Sequence, residues 1–287
     1  MPLRFLVVEG NTEGPRERHR ATYGKTYAES YGAVLQGLEK DAIYDIALPA
    51  DEGANLPDAA GLEGYDGIFL TGSALNAYHA TPEILRQIDL MRAAFKSRTP
   101  VFGSCWGLQM GAMASGGDVQ ANPIGREVGI ARRIVKTDAG MKHPLLAGRP
   151  AAWDAPAVHL DMITNMPGDI TILAQNSVTP VQAAEIRHDG GVFWGVQYHP
   201  EFSLIELSVI LDRYRPILLA EGFLASDEAH AAYVHELRTL GENPARFDLA
   251  WKHGVDEELL DEDRRLTEIR NFIAHYVKPT KSARGRA

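Results

Sequence analysis

The chain has 287 residues, 45% hydrophobic and 23% charged, with a formal net charge of −9; it is long enough to bury a core without staples, and its acidity argues against a phosphate backbone as partner, so no nucleic acid is expected. Its one cysteine excludes an internal disulfide and gives no sign of an oxidising compartment. No apolar run approaches a membrane span, and the opening MPLRFLVVEGN turns polar too soon for a secretory signal, so a cytoplasmic protein acting on a small molecule is the starting expectation.

Taken in order, LRFLVVE (3–9) is the first predicted strand. YAESYGAVLQGLEK follows as a helix with its stripe through Tyr27, Tyr31, Val34, Leu35 and Leu38. AIYDIALP (42–49) and YDGIFLTGS (65–73) are the second and third strands. TPEILRQIDLMRAAFKSR keeps a period near 3.6, with Thr81 as N-cap and Pro82 at the first helical position. TPVFG (99–103) is a fourth strand, apolar enough to be buried on both faces. This alternation predicts an α/β fold, a doubly wound, mostly parallel open sheet flanked by helices.

From about 128 to 197 the pattern changes to consecutive strands in REVGIARRIV, ITILAQN, PVQAAEIRH and GVFWGVQYH, some of them antiparallel. SLIELSVILDRYRPILLAEG (203–222) reads as one long helix. The division expected is a main domain over 1–222 and a helical C-terminal extension over 223–287. The extension opens with a Ser226 cap and carries the stripe Leu266, Ile269, Phe272, Ile273 and Tyr276, to pack on the main domain or on a partner. The basic end, KPTKSARGRA, is expected to fray.

The lone cysteine sits in VFGSCWGLQMG, between a strand and a helix. Gly103, Cys105 and Gly107 form a G-x-C-x-G bend of the nucleophile-elbow kind, whose glycines let neighbouring backbone come close while the thiol projects. A helix N-terminus behind the sulfur favours its anionic form, and the N–H of Trp106 points where an oxyanion would develop. Gln109 shares the helix face with Cys105. A buried structural cysteine is the competing reading, and a base is needed to decide.

WGVQYHPEFS (194–203) supplies one. His199 ends a strand, Pro200 holds the chain extended, and Glu201 points the same way as His199, so the carboxylate can orient the imidazole towards the thiol. The other histidines, His143, His159 and His188 among them, read as core or surface groups.

SCWGLQ and GVQYHPE together resemble the class I glutamine amidotransferases, whose patterns are C-x-G-x-Q and G-x-Q-x-H-P-E. The likeness spans about residues 3 to 220 and implies a flavodoxin-like amidotransferase fold. It implies Cys105 as nucleophile, His199 as general base and acid, and Glu201 as its orienter. The Gly72–Ser73 turn and Gln109 match the family positions that complete the oxyanion hole and hold glutamine. On that resemblance Gly72 and Trp106 supply the oxyanion donors, and Ser73 and Gln109 bind substrate. The stretch LTGSALNAYH departs from the family's G-G-P-G-S loop in having one glycine before Ser73 and no proline. In this it is more similar to stand-alone γ-glutamyl peptidases of the superfamily, as are NPIGREVGIARR and VHLDMITNMP. Glu127, His159 and Asp161 are therefore rim candidates, with strand-end caps or surface polar groups as the other reading.

The expected function is hydrolysis of the glutamine side-chain amide through a γ-glutamyl thioester, with ammonia passed to a separately encoded synthetase. The alternative is a stand-alone γ-glutamyl peptidase or hydrolase acting on small γ-glutamyl amides. No nucleotide-binding fingerprint occurs, so the chain is not itself an ATP-driven synthetase. An inactive binding module is disfavoured by the intact Cys105, His199 and Glu201 set. The intracellular PfpI-like proteins, which carry a histidine directly after an elbow cysteine, are disfavoured by Trp106 at that place; Glu9 then reads as a polar residue at a loop start. The chemistry requires no cofactor, and no metal-ligand cluster is visible. The C-terminal stripe offers one surface for a synthetase or a second copy of the chain.

Overall fold

The computed structural model describes residues 1–166 and 168–285. The first half runs β1 (Arg4–Val8), α1 (Glu13–Tyr23), α2 (Tyr27–Leu38), β2 (Ile43–Ala47), α3 (Ala59–Leu62), β3 (Gly67–Leu70), α4 (Pro82–Ser97), β4 (Val101–Ser104) and α5 (Trp106–Ala114). A strand-rich stretch follows: β5 (Asp118–Ala121), β6 (Glu127–Lys136), β7 (Ala152–His159), β8 (Asp161–Asn165), β9 (Asp169–Gln175), β10 (Ala183–His188) and β11 (Gly191–Val196). The helices after it are α6 (Leu204–Arg213), α7 (Arg215–Ala220), α8 (Asp227–Glu242), α9 (Phe247–His253), α10 (Glu257–Leu260), α11 (Glu262–Arg265) and α12 (Thr267–Phe272). A π-helical turn, Ile273–Val277, then leads into α13 (Lys278–Ala283).

The central sheet has the order β2-β1-β3-β4-β11-β10-β9-β6-β7, parallel from β2 to β11 and antiparallel beyond. β5 and β8 form a separate antiparallel pair. Alternation along the parallel strands sorts side chains into two cores. Phe5, Val7, Phe69 and Phe102 face one, under α2 and the C-terminal stripe Leu266, Ile269, Phe272 and Ile273. Leu6, Val8, Ile68, Leu70 and Val101 face the other, under α4 and α5. A third cluster joins α6 and α8 over Ile130 of β6. The C-terminal stripe thus lies on the main sheet, with Tyr276 partly buried beside it.

Four local expectations change. The segment 203–222 is two helices, because Pro216 lacks the N–H and clashes with the carbonyl that a continuing helix would need. Thr81 is at the N-cap and Pro82 follows, yet the Thr81 side chain makes no capping bond. β7, unread in the sequence because Pro156 interrupts it, is the last strand of the sheet, where an edge tolerates proline. The basic end is ordered through Gly285, since Lys281 is buried, pairs with Asp66 at 3.0 Å and donates to the carbonyls of Met1 and Pro2. Residues 286–287 of that end lie outside the described residues. Among the described residues no helix is long and apolar enough to cross a membrane.

Candidate active site

Cys105 follows β4 directly and takes φ 52° and ψ −102°, a backbone conformation rare for a residue with a side chain. Its N–H donates to Val196 O at 2.7 Å, which ties the bend to the end of β11. Glycine is required beneath it: a Cβ on Gly103 would lie 2.5 Å from the carbonyl carbon of Gly107. α5 starts at Trp106, whose indole N–H donates to Gln87 Oε1 at 2.7 Å and fixes the helix start against α4. The apolar β4 strand and the small residues after it produce this bend, at the carboxyl edge of the parallel strands where α/β proteins bind ligands.

β11 delivers the second group to the same edge. His199 and Glu201 are buried, with imidazole Nδ1 2.7 Å from Glu201 Oε1. Ser104, beside the cysteine, donates to Glu201 Oε2 at 2.8 Å, and the Tyr31 hydroxyl lies 3.4 Å from Ser104 Oγ. Phe202 stacks on the imidazole at 4.1 Å between ring centres, and the His199 N–H donates to Pro156 O. The Cys105 thiol donates to Val158 O at 3.9 Å and is close enough to His199 to favour its charged form. Burial pulls the His199 pKa down, but the Glu201 charge and the hydrogen bonds to Cys105 and Glu201 outweigh it and raise it to about 10. An imidazolium held between a carboxylate and a sulfur can protonate a leaving nitrogen and take the proton back from water.

The loop after β3 completes the edge. A Cβ on Gly72 would come within 2.6 Å of His199 Cε1, so only glycine lets the loop lie against the imidazole. Among the described residues, the N–H groups of Gly72 and Trp106 have no hydrogen-bond partner. Asn11 holds the loop: its Nδ2 donates to Gly72 O at 3.1 Å, and its Oδ1 accepts from Ala74 N at 3.0 Å. Glu9, fully buried, accepts from Asn11 N, Asn11 Nδ2 and the Ala28 N–H that opens α2. Burial raises its pKa against those hydrogen bonds. Glu9 is thus a brace that joins the β1 loop, α2 and the glycine turn.

The other sequence candidates take these places. The Ser73 hydroxyl donates to Gly10 O at 2.8 Å and accepts from Leu75 N at 3.2 Å, so it is engaged in shaping the loop. Gln109 is buried, its Nε2 3.3 Å from Asp161 O and 3.5 Å from Gln197 Oε1. Asp161 accepts from Asn76 at 2.7 Å through Oδ2, while its Oδ1 and Gln197 Nε2 are buried polar atoms without a partner among the described residues. That leaves unmet donor and acceptor capacity beside Gln109. Glu127 and His159 pair at 2.9 Å, and Glu127 also accepts from Gln182 and Asn176, which makes them a saturated inner cluster. His143 pairs with Glu185, and His188 lies edge-on to Phe95 at the surface. Asn11, Ser104 and Phe202 were not singled out in the sequence. Their one signal is position, each lying within two residues of a strand-end motif residue or of Glu9.

A cleft of about 200 Å³ opens against the imidazole, with Gly72, Val158, Phe202, Tyr27 and Tyr214 in its wall. Parallel sheet, elbow and cleft together place the molecule among α/β proteins that act at the carboxyl ends of their strands. The chain matches the model of the class-I glutamine amidotransferases over residues 34–211, and it belongs to that family. It is 34% identical over 285 residues to γ-glutamyl-L-1-hydroxyisopropylamide hydrolase of a Pseudomonas species, covering 97% of this chain and 94% of that protein. It is 30% identical over 142 residues to a glutamine-hydrolysing GMP synthase subunit of Methanothrix thermoacetophila, covering 49% of this chain and 70% of that one. The solved structure of a glutamine amidotransferase from Thermotoga maritima shares the fold, with a TM-score of 0.64 at 16% identity, over 97% of this chain and 99% of that one.

Proposed function

We propose that the protein hydrolyses small γ-glutamyl amides on its own, with Cys105, His199 and Glu201 as its catalytic set. The thiolate of Cys105 attacks the γ-amide carbon, and the N–H groups of Gly72 and Trp106 receive the oxyanion. As the C–N bond breaks, His199 gives its proton to the departing amine and a γ-glutamyl thioester remains on the sulfur. Water then attacks the thioester carbon and gives a proton to His199, and the C–S bond breaks to release glutamate and the thiolate. Glu201 keeps the imidazole oriented through both halves and stabilises its protonated form before the amine leaves and after water is split. Gln109 and the partnerless polar atoms of Asp161 and Gln197 support binding of the glutamyl head.

The observation that carries this reading is the whole-length likeness to the Pseudomonas hydrolase. The other reading, glutamine hydrolysis with ammonia passed to a synthetase, is supported by the GMP synthase relative, whose likeness extends over 49% of the chain. Substrate profiling of the purified protein alone decides between them. Cleavage of γ-glutamyl amides of small amines, faster than release of ammonia from glutamine, is expected. Hydrolysis of glutamine alone, rising when a synthetase is added, would overturn the proposal.

A further inference from the structure

The cleft beside His199 carries a charge pattern that amide hydrolysis does not itself need. Its charged lining groups besides His199 are the guanidiniums of Arg18 and Arg213, and among the described residues no carboxylate lines it. This occurs in a chain with a net charge of −9, where an arginine would ordinarily find an acidic neighbour. Arg213, on α6, donates to Thr22 Oγ1 at 2.8 Å, His19 Nδ1 at 3.0 Å and Tyr27 Oη at 2.8 Å. All three acceptors are uncharged. Because His19 Nδ1 accepts, its proton sits on Nε2 and donates to Glu206 at 3.0 Å, so the imidazole ring separates that carboxylate from the guanidinium. Tyr27 also stacks on His19 at 3.8 Å, which locks the assembly that aims Arg213. These bonds leave guanidinium donors over. Arg18, exposed on α1, has no ion pair or side-chain hydrogen bond among the described residues.

The cleft opens on the histidine that gives its proton to the departing nitrogen, and Gln109 and Asp161 take no part in its wall. Its occupant is therefore the amine half of the scissile amide. Aromatic walls from Tyr27, Phe202 and Tyr214 suit a short carbon skeleton, and its volume of about 200 Å³ suits a small one. Two guanidiniums in one cleft wall, with no carboxylate among its described lining residues, suit a carboxylate.

We propose that Arg18 and Arg213 form a carboxylate-binding subsite for the leaving amine, so that γ-glutamyl amides of amino acids are the preferred substrates. The proposal rests on the hydrolase reading above and narrows it. The test compares kcat/KM for γ-glutamyl-L-alanine and γ-glutamyl-L-1-hydroxyisopropylamide, which share a skeleton and differ in a carboxylate against a hydroxymethyl group. The acid is expected to be preferred at least tenfold, and the preference to shrink as ionic strength rises. Arg18→Gln, at an exposed position, lowers that ratio threefold or more, and adding Arg213→Gln brings it near one. A ratio of one or less in the unaltered protein, with both compounds cleaved, overturns the subsite and leaves the hydrolase reading standing. A ratio that Arg18→Gln does not move overturns it as well. An equal loss on both substrates in the variants would assign the arginines to the glutamyl α-carboxylate instead, and would also overturn it. If glutamine is cleaved and neither amide is, the hydrolase reading falls and takes the subsite with it.

Discussion

Tyr198 and His199 are neighbours just after β11, and they end in opposite kinds of charged cluster. The Tyr198 hydroxyl donates to Glu268 of α12 at 2.8 Å. Glu268 in turn takes two bonds from Arg149, at 2.7 and 2.8 Å, and Arg149 also donates to Glu258 and to Arg265 O. Every nitrogen of that guanidinium is occupied, and its neighbouring carboxylates hold the Arg149 pKa above its ordinary value against the pull of burial. His199 is equally buried, but its carboxylate partner occupies one side only, and the other faces a sulfur and a cleft. A saturated cluster can hold elements together; one left open at a single position can do chemistry. The first joins the C-terminal helices to the strand segment from which the second projects.

The largest expected effect is at the open cluster. Cys105→Ala should lower γ-glutamyl amide turnover by roughly 10³-fold or more with the melting transition retained; full activity in that variant would break the distinction between the two clusters. At the saturated cluster, Glu268→Ala removes two of the bonds of buried Arg149 and the acceptor of the buried Tyr198 hydroxyl, leaving Glu258 as the guanidinium's one carboxylate there, and chemical denaturation should show a loss of about 3 kcal/mol. If the variant kept its stability and lost turnover, the two clusters would be one functional unit. Gly72→Ala pushes a methyl group into His199 and should cost about 10- to 100-fold in kcat/KM, with little change in stability, since one loop absorbs the strain.

A subtler test uses pH. With the His199 pKa raised to about 10, the imidazolium persists through neutral pH and the alkaline limb of kcat/KM is expected near that value. Glu201→Gln removes the charge that opposes burial, so the limb should move down by about one pH unit or more. A limb that stays in place would show that another group sets it. The same linkage gives the sign for stability. The contribution of His199 is fully present below its ordinary value of 6.5 and is lost as pH rises towards about 10.

The site edge was legible because short motifs carry it: the small residues around Cys105 force the bend, and His199 and Glu201 stand two apart, although a turn closed by the Phe202 N–H on His199 O at 3.2 Å brings them together, not the extended chain expected at Pro200. The inner parallel strands β1, β3 and β4 were legible because they are short, mostly apolar runs. The saturated cluster was not, since Arg149, Glu258 and Glu268 read singly as solvated charges and meet across more than a hundred residues. Asn11 was missed for a related reason: its partners Gly72 and Ala74 lie on another loop, and no periodicity records the contact. The end of the chain misled because composition suggested a solvated tail, whereas Asp66 and two N-terminal carbonyls draw Lys281 inward.

Mass spectrometry of the protein quenched during turnover of a γ-glutamyl amide tests the central claim most directly. A γ-glutamyl thioester on the peptide that contains Cys105, absent from Cys105→Ala, is the predicted result. Turnover that proceeds with no adduct on that cysteine, or with the acyl group on another residue, would contradict it.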